Sequence, residues 1–166
     1  MSESDFRMEP IEISPLTRAQ FGAAHTVNQK YESLLSPVTM PEFEALVAAS
    51  PFARQAFGGA AFIVAFDESS SYSGENFNWF KERYGRFLYI DRVAVDDVLQ
   101  GRGIAKLFYD HAIEFARIIG AVHLCAEVNI DPPNAASTAF HVAMGFVPVG
   151  EARVGHKYVQ YFALSL

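Results

Sequence analysis

The segment Gln100-Gly101-Arg102-Gly103-Ile104-Ala105-Lys106 combines two glycines with two cationic side chains. Glycine allows sharp backbone turns and close approach of a ligand to the main chain. A helix that begins here would offer unpaired N–H groups and the positive end of its dipole to a phosphate or pyrophosphate. The segment lacks the Lys-Ser/Thr pair of a P-loop and the third glycine of a dinucleotide fingerprint. A turn that serves only the fold is the alternative interpretation.

Two carboxylates, Asp91 and Glu127, fall in β-type runs on either side of this segment. A carboxylate inside a strand is costly to bury without a partner, and such groups can accept protons in catalysis. Strand alternation places Asp91 on one face with Tyr89 and Val93. We favour Glu127 as the functional carboxylate. In the alternative interpretation, Arg92 or another cation pairs with Glu127, and a backbone donor bonds Asp91.

Hydrophobic patterning places the glycine segment between a strand and a helix. The run Phe87–Val95 predicts a strand, and residues 103–119 predict a helix that Gly120 ends. Residues 121–130 are again β-rich, which completes a strand–loop–helix–strand unit. The apolar face predicted for the helix consists of Ile104, Leu107, Phe108, His111, Phe115 and Ile118.

The N-terminal half predicts one strand, two helices and a hairpin. Isoleucines at 11 and 13 alternate with polar neighbours and indicate a strand. Thr17 with Gln20, and Thr39 with Glu42, have the spacing of helix-starting capping boxes. Gly58-Gly59 lies between apolar runs 53–57 and 60–66, which is typical of a two-residue hairpin turn.

The remaining segments are a long connection and a C-terminal unit. Residues 67–86 are polar and aromatic, and a connection of this length is either functional or a short helix covering one end of the sheet. Asn134 predicts the start of a short helix to Met144. Strands at 146–152 and 157–164 follow, with a turn at Gly155. The element order predicts a mixed α/β fold with antiparallel strands on both sides of a parallel centre.

Taken together, these residues resemble the GNAT superfamily of acyl-CoA-dependent N-acetyltransferases. The family signature Gln/Arg-x-x-Gly-x-Gly/Ala is matched by Gln100, Gly103 and Ala105. A second pattern, Asn…Phe-Tyr-x-x-x-Gly-Phe, is matched by Asn134, Phe140, Gly145 and Phe146, with His141 replacing the tyrosine. The resemblance covers residues 87–149 closely and the rest loosely. Residues 87–92 and 127–134 are also similar to a bacterial subgroup known only as predicted acetyltransferases. That similarity does not indicate a substrate.

The resemblance implies a mostly antiparallel sheet with a splayed, parallel central strand pair and flanking helices. Acetyl-CoA would be the co-substrate, with its pantetheine arm in the gap between these strands and its pyrophosphate on the glycine segment. The residues assigned to it are Val93, Ala94, Val95, Gln100, Gly101, Arg102, Gly103, Ile104, Ala105, Lys106, Asn129, Asn134, Ser137 and Phe140. For Asn134, helix capping is the alternative role.

The chemistry implied is direct attack of a neutral amine on the thioester. The Val95 amide would bind the oxyanion, and Glu127 or Asp91 would take the proton of the amine through water. His141 stands where the family has the tyrosine that protonates the thiolate, and an imidazole can serve near neutral pH. The alternative for His141 is a hydrogen-bonded helix residue. Tyr89 stands where some members have a catalytic glutamate, so that base is missing.

We expect the acceptor pocket between the first helical region and residues 67–86. Aromatic walls there could bind a cationic amine by cation–π contact, although the same rings could belong to the core. The candidates are Asn28, Tyr31, Ser33, Tyr72, Asn76, Trp79, Tyr84 and Tyr89.

Composition narrows the class of protein. The chain of 166 residues predicts one domain, 1–166, and its net charge of −6 argues against non-specific nucleic-acid binding. A single cysteine, Cys125, excludes an internal disulfide, and we interpret it as a buried structural thiol. The histidines show no metal-ligand spacing, so we predict no metal. No apolar run has the length of a membrane span and the polar N-terminus is unlike a secretory signal, which predicts a cytoplasmic protein.

The sequence therefore predicts an acetyl-CoA-dependent N-acetyltransferase that acts on a small amine, a protein N-terminus or a lysine. An acyl-CoA sensor without turnover is the main alternative, and a nucleotide-binding domain unrelated to CoA is a third. The aromatic strand at residues 158–164 could pair with a second copy at a sheet edge and form a homodimer. Otherwise it pairs within its own sheet.

Overall fold

The computed structural model describes residues 10–166, which form one seven-stranded sheet flanked by five helices. The strands are β1 (Ser14–Pro15), β2 (Phe52–Ala56), β3 (Ala61–Asp67), β4 (Phe87–Val95), β5 (His123–Asp131), β6 (Val147–Val154) and β7 (Lys157–Ser165). The α-helices are α1 (Arg18–Lys30), α2 (Met40–Ala49), α3 (Glu75–Lys81), α4 (Ile104–Ile118) and α5 (Ala135–Ala143).

The strands are arranged in the order β1-β2-β3-β4-β5-β7-β6. Every neighbouring pair is antiparallel except β4 and β5, which are parallel. This confirms the predicted mixed fold. Because β7 lies between β5 and β6, the interpretation that residues 158–164 pair with a second copy is wrong. The alternative, pairing within the sheet, is confirmed.

Each face of the sheet has its own core. Helices α4 and α5 cover one face, on which Phe108, Tyr109 and Phe140 pack against the strands; we call it the α4–α5 face. Helices α1, α2 and α3 cover the other face, on which Phe43 and Phe77 are buried; we call it the α1–α3 face. The helix α3 confirms the interpretation of residues 67–86 as a short helix over the sheet.

Strands β4 and β5 pair only at their beginnings. The register joins Phe87 to His123, Leu88 to Leu124 and Tyr89 to Cys125, and no later pair follows. From Ile90 to Val95 the edge of β4 that faces β5 has no strand partner. The two strands therefore separate, as the resemblance implied, and we call the space between them the β4–β5 gap.

A β-bulge in β4 changes which residues face each side. Ala65 pairs with Ile90 and Val64 pairs with Arg92, so Asp91 is the extra residue. One extra residue reverses the alternation of side chains beyond it. Tyr89 packs on the α1–α3 face, whereas Val93 packs on the α4–α5 face. The prediction that Tyr89, Asp91 and Val93 share a face is therefore wrong.

Both predicted helix starts are present. The side-chain carbonyl of Gln20 accepts from the Thr17 amide at 2.9 Å, and the Thr39 hydroxyl oxygen accepts from the Glu42 amide at 3.3 Å. These bonds satisfy amides that have no partner inside the helix.

Three local predictions need correction. Strand β1 begins at Ser14, beyond the alternation at residues 11–13, because the strand pairing with β2 starts at Ser14. The hairpin turn is longer than two residues, since Ala56 pairs with Ala61 and Phe57 already has a positive φ of 54°. On α4 the buried row is Ile104, Phe108, Tyr109, Ala112 and Ala116, and His111 and Ile118 are exposed.

Within residues 10–166, no helix combines the length and the apolar character that crossing a membrane requires.

The hairpin turn provides a test of how α1 docks. Gly59 has φ +93°, and a Cβ atom there would lie 2.7 Å from the Gln20 carbonyl oxygen of α1. Gly58 has φ +66° and open space around it. Both alanine variants incur about 1–2 kcal/mol of left-handed backbone strain. We expect Gly59→Ala to lower the free energy of unfolding by at least about 1 kcal/mol more than Gly58→Ala does, because the backbone of α1 at Gln20 must move. Urea unfolding measures this, and equal losses would contradict the docking.

Candidate functional site

Three adjoining cavities follow the β4–β5 gap. The gap cavity, of about 250 Å³, lies between the separated strands. The outer cavity, of about 560 Å³, lies on the α1–α3 face under residues 32–37. The glycine cavity, of about 380 Å³, lies beside the start of α4. Glu127 lines the first two, and Val95 and Gln100 line the first and third. The three cavities therefore adjoin in one row, which we call the path.

The glycine segment forms an open cradle at the start of α4. Gly103 precedes the helix with φ 76°, and no side chain among residues 10–166 caps the first turn. A Cβ atom added at Gly101 or Gly103 would meet no protein atom within 4 Å. The amides of the first turn are thus left for a ligand, and the arrangement fits a pyrophosphate.

Most of the segment lines the glycine cavity, and its contact with a cofactor stays a prediction. The residues that line the glycine cavity are Gln100, Gly101, Gly103, Ile104, Ala105, Lys106 and Phe140. Arg102 is exposed and lines none of the three cavities. The Lys106 ammonium donates to Asp110 at 2.9 Å.

The unpaired edge of β4 presents main-chain groups to the gap cavity, which Val93, Ala94 and Val95 line. The Asp96 amide donates to Ala60 at 2.9 Å, on the β3 side. Because N–H groups alternate in direction along a strand, the Val95 amide faces the gap. The Val95 carbonyl accepts from the Gln100 side chain at 3.3 Å. An oxyanion role for the Val95 amide stays a prediction.

The opposite wall of the gap cavity includes Asn129, Asn134 and Ser137. The side chain of Asn134 accepts from the Ser137 amide at 3.3 Å, so it caps α5. Asn134 therefore has the capping role and also lines the cavity. Contact of these residues with a cofactor stays a prediction.

Glu127 lies at the junction of the gap and outer cavities. Its Oε1 accepts from the Tyr89 hydroxyl at 2.9 Å and from the Asn76 amide at 3.1 Å. Its Oε2 is buried and has no hydrogen-bond partner in the described part of the chain. Burial raises the pKa of Glu127 to about 8, an effect that the bond from Tyr89 opposes and the charge of Asp91 reinforces.

Asp91 and Arg92 form a buried ion pair. The Arg92 Nε donates to Asp91 at 2.7 Å, and its Nη1 donates to Asn28 at 3.0 Å and to the Ser36 carbonyl at 3.2 Å. The Tyr72 hydroxyl donates to the second Asp91 oxygen at 2.7 Å. Arg92 thus pairs with Asp91 and not with Glu127. The structure shows no cation bonded to Glu127 among residues 10–166.

His141 is buried and both ring nitrogens are bonded. Its Nδ1 lies 2.7 Å from the Ser137 carbonyl oxygen, and its Nε2 lies 2.8 Å from the Tyr109 hydroxyl. A carbonyl can only accept, so Nδ1 bears the proton and Nε2 accepts from Tyr109. Burial lowers the pKa of His141, which the bond to Ser137 partly offsets. His141 lines the gap cavity, and its role as an acid stays a prediction.

The eight acceptor candidates divide into three groups. Tyr31 lines the gap cavity, with its hydroxyl buried and lacking a partner among the described residues. Ser33, Tyr72, Asn76 and Tyr89 line the outer cavity.

The other three candidates lie outside the cavities. Asn28 is buried behind them and binds Arg92. Trp79 stacks on Tyr161 with ring centres 4.2 Å apart, and Tyr84 packs on the His123 ring at 4.5 Å. These contacts explain the three residues as part of the fold.

Sequence reasoning missed Tyr109. It is 1% exposed, and its ring lines the gap cavity beside His141. The predicted apolar face of α4 omitted it, because that face was drawn through His111. The sequence did contain a signal for a second buried row. Small residues follow Tyr109 at helical spacing, with Ala112 three positions on and Ala116 seven positions on.

No curated protein matches this chain significantly. The model of the acetyltransferase (GNAT) family matches residues 42–146. Because this is more than half of the chain, the chain belongs to that family, and the predicted resemblance is confirmed.

Solved structures agree in fold. The chain is similar to the ribosomal-protein-S18-alanine N-acetyltransferase from Escherichia coli, with a TM-score of 0.71, 19% identity and 94% of each chain covered. It is similar to NAA60 from Arabidopsis thaliana in complex with acetyl-CoA, with a TM-score of 0.74, 14% identity, and 95% of this chain and 99% of that chain covered. It is also similar to Ard1 from Thermoplasma volcanium, with a TM-score of 0.72, 18% identity, and 94% of this chain and 97% of that chain covered.

The buried carboxyl group predicts a pH-dependent stability. The pKa of Glu127 rises from 4.5 to about 8 on folding, so the folded chain holds a proton that the unfolded chain releases. Relative to Glu127→Gln, the wild type should lose on the order of a few kcal/mol of unfolding free energy between about pH 5 and pH 9.

Urea unfolding across this pH range measures the difference. The exposed Glu114 of α4 provides the matched control, and Glu114→Gln should parallel the wild type. Parallel curves for wild type and Glu127→Gln would show that Glu127 is not held protonated.

Proposed function

We propose that this protein is an acetyl-CoA-dependent N-acetyltransferase that transfers an acetyl group to a primary amine. The main support for this function is the position of Glu127. Its unpartnered Oε2 lies where the gap cavity, which continues to the glycine segment, meets the outer cavity. A proton acceptor is thereby placed between a site suited to the donor and a site suited to the acceptor.

The α4–α5 side of the path is suited to the donor. The main-chain groups of Val93 and Val95 can pair with the amides of a pantetheine arm, as a missing strand would. The uncapped first turn of α4 and the open space at Gly103 suit a pyrophosphate. Acetyl-CoA supplies an acetyl group activated as a thioester.

The α1–α3 side is suited to a cationic amine. The outer cavity contains Glu32, Glu75 and Glu127, and the phenol rings of Tyr72 and Tyr89 form part of its wall. Arg92 and Lys157 also line it. Asp91 neutralises Arg92, so the carboxyl groups outnumber the remaining cation. A carboxyl group with a pKa of about 8 can accept the proton of an ammonium in mildly alkaline solution. A peptide N-terminus, a lysine or a small amine all satisfy this chemistry.

Donor binding can be tested at the glycine segment. Gly103→Ala should weaken acetyl-CoA binding by at least about tenfold, because the added methyl group enters space reserved for the pyrophosphate. Gly58→Ala is the matched control, since it too has a positive φ and meets no neighbour. Both variants should lose similar stability, and only Gly103→Ala should lose affinity in calorimetry. Equal affinities would contradict the assigned donor site.

Transfer can be tested at Glu127. With a panel of peptides, lysine derivatives and small amines, release of CoA thiol should increase with pH up to about 8. Glu127→Gln should lower kcat/KM by about 100-fold, because the proton acceptor is lost. Glu114→Gln should leave it unchanged. Acetyl-CoA binding without transfer to any amine would favour the sensor interpretation instead.

A further inference from the structure

The contact between Tyr109 and His141 places a phenol in the wall of the gap cavity. Tyr109 comes from α4 and His141 from α5, and both line the cavity on the α4–α5 face. The Tyr109 hydroxyl donates to His141 Nε2 at 2.8 Å, and the His141 Nδ1–H donates to the Ser137 carbonyl at 2.7 Å. Aromatic contacts with Phe140 and Phe146, at 5.0 and 5.9 Å between ring centres, fix the Tyr109 ring.

The position of Tyr109 complements that of Glu127. Cys125, two residues before Glu127 on β5, packs on the α1–α3 face, whereas Tyr109 belongs to the core of the α4–α5 face. The two groups therefore lie on opposite sides of the β4–β5 gap. Transfer of an acyl group joins nitrogen to the acyl carbon and breaks the carbon–sulfur bond, whose electron pair stays on sulfur. Nitrogen loses one proton to Glu127, and the thiolate leaves with a hydrogen bond from Tyr109. After release the thiolate takes one proton from water and Glu127 returns one to water, so no other reactant is needed.

We propose that Tyr109 donates a hydrogen bond to the sulfur of CoA as negative charge develops there, and that His141 positions Tyr109 instead of acting as the acid. This inference rests on the proposed function. An anionic sulfur is a stronger acceptor than a neutral imidazole, so the hydroxyl hydrogen turns from His141 Nε2 toward sulfur while the ring stays in place. His141 has its only proton in the bond to Ser137 and has none to donate. Tyr109 is unchanged when the reaction ends.

Tyr31 is the other phenol in the gap cavity. Its ring packs with the core of the α1–α3 face, on the side of the outer cavity. Tyr109 instead shares its helix with the glycine segment, where the donor is assigned. We therefore assign the sulfur to Tyr109.

The first experiment does not need turnover. The pKa of the thiol of enzyme-bound CoA is measured from its thiolate absorbance during a pH titration. A hydrogen bond to the thiolate lowers this pKa, so Tyr109→Phe should raise it by about one unit. Tyr31→Phe and Tyr158→Phe should not change it, since the Tyr158 hydroxyl donates to Glu151 at the surface. His141→Phe should raise it less, and the double variant should equal Tyr109→Phe alone.

Each outcome has one meaning. An unchanged thiol pKa in Tyr109→Phe, with CoA still bound, overturns this inference and leaves the proposed function standing. A change caused by Tyr31→Phe instead, or additive effects of the Tyr109 and His141 variants, also overturns it. Failure of the wild type to bind CoA overturns both proposals.

A second experiment separates catalysis from folding. Tyr109→Phe should lower kcat with acetyl-CoA by about 10–100-fold, and much less with the acetyl selenoester analogue, because a selenolate is a far less basic leaving group. Tyr158→Phe should behave as wild type with both donors. An equal loss with both donors means that Tyr109 only supports the fold, which overturns the inference.

Discussion

Pairing between β4 and β5 stops after three residue pairs, and the whole candidate site depends on that stop. A parallel pair in the middle of a sheet would ordinarily continue, because every buried N–H and C=O needs a partner. Here the main chain from Ile90 to Val95 is left with one free edge. That edge forms an extended groove together with the uncapped start of α4 and the wall formed by α5. The groove suits a long, chain-like ligand.

The same separation opens the sheet from one face to the other. The bulge at Asp91 moves Val93 and Val95 to the α4–α5 face, while Glu127 stays on the face of α1 and α3. The buried pair of Asp91 and Arg92 then fastens the bulge to Asn28 at the end of α1 and to the carbonyl of Ser36. A buried ion pair of this kind fixes the position of the groups around it more than it raises the free energy of unfolding. The result is a row of adjoining cavities whose two ends differ in chemistry: main-chain donors at one end and carboxylates with phenols at the other.

Much of the fold could be predicted from the sequence, because capping boxes, glycines and strand runs are local signals. Gly103 before α4, Thr39 before α2 and the run Phe87–Val95 all lie where local chemistry requires them. The bulge could not be predicted, since Asp91 is an ordinary strand residue until pairing with β3 makes it the extra one. Hydrogen bonds between residues far apart in the sequence could not be predicted either. Asn76 bonds Glu127 across 51 residues, and Tyr109 bonds His141 across 32 residues. Arg92 was one alternative partner for Glu127, and in the structure it pairs with its neighbour Asp91 instead.

We propose that acetyl-CoA lies in the β4–β5 gap with its pyrophosphate on the first turn of α4. Backbone NMR of the labelled protein during an acetyl-CoA titration tests this position. We expect the amides of residues 93–95 and 101–106 to shift, and those of β1 and β2 at the far edge of the sheet to stay unchanged. Absence of any shift, or shifts confined to the far edge, would show that acetyl-CoA does not bind in the gap.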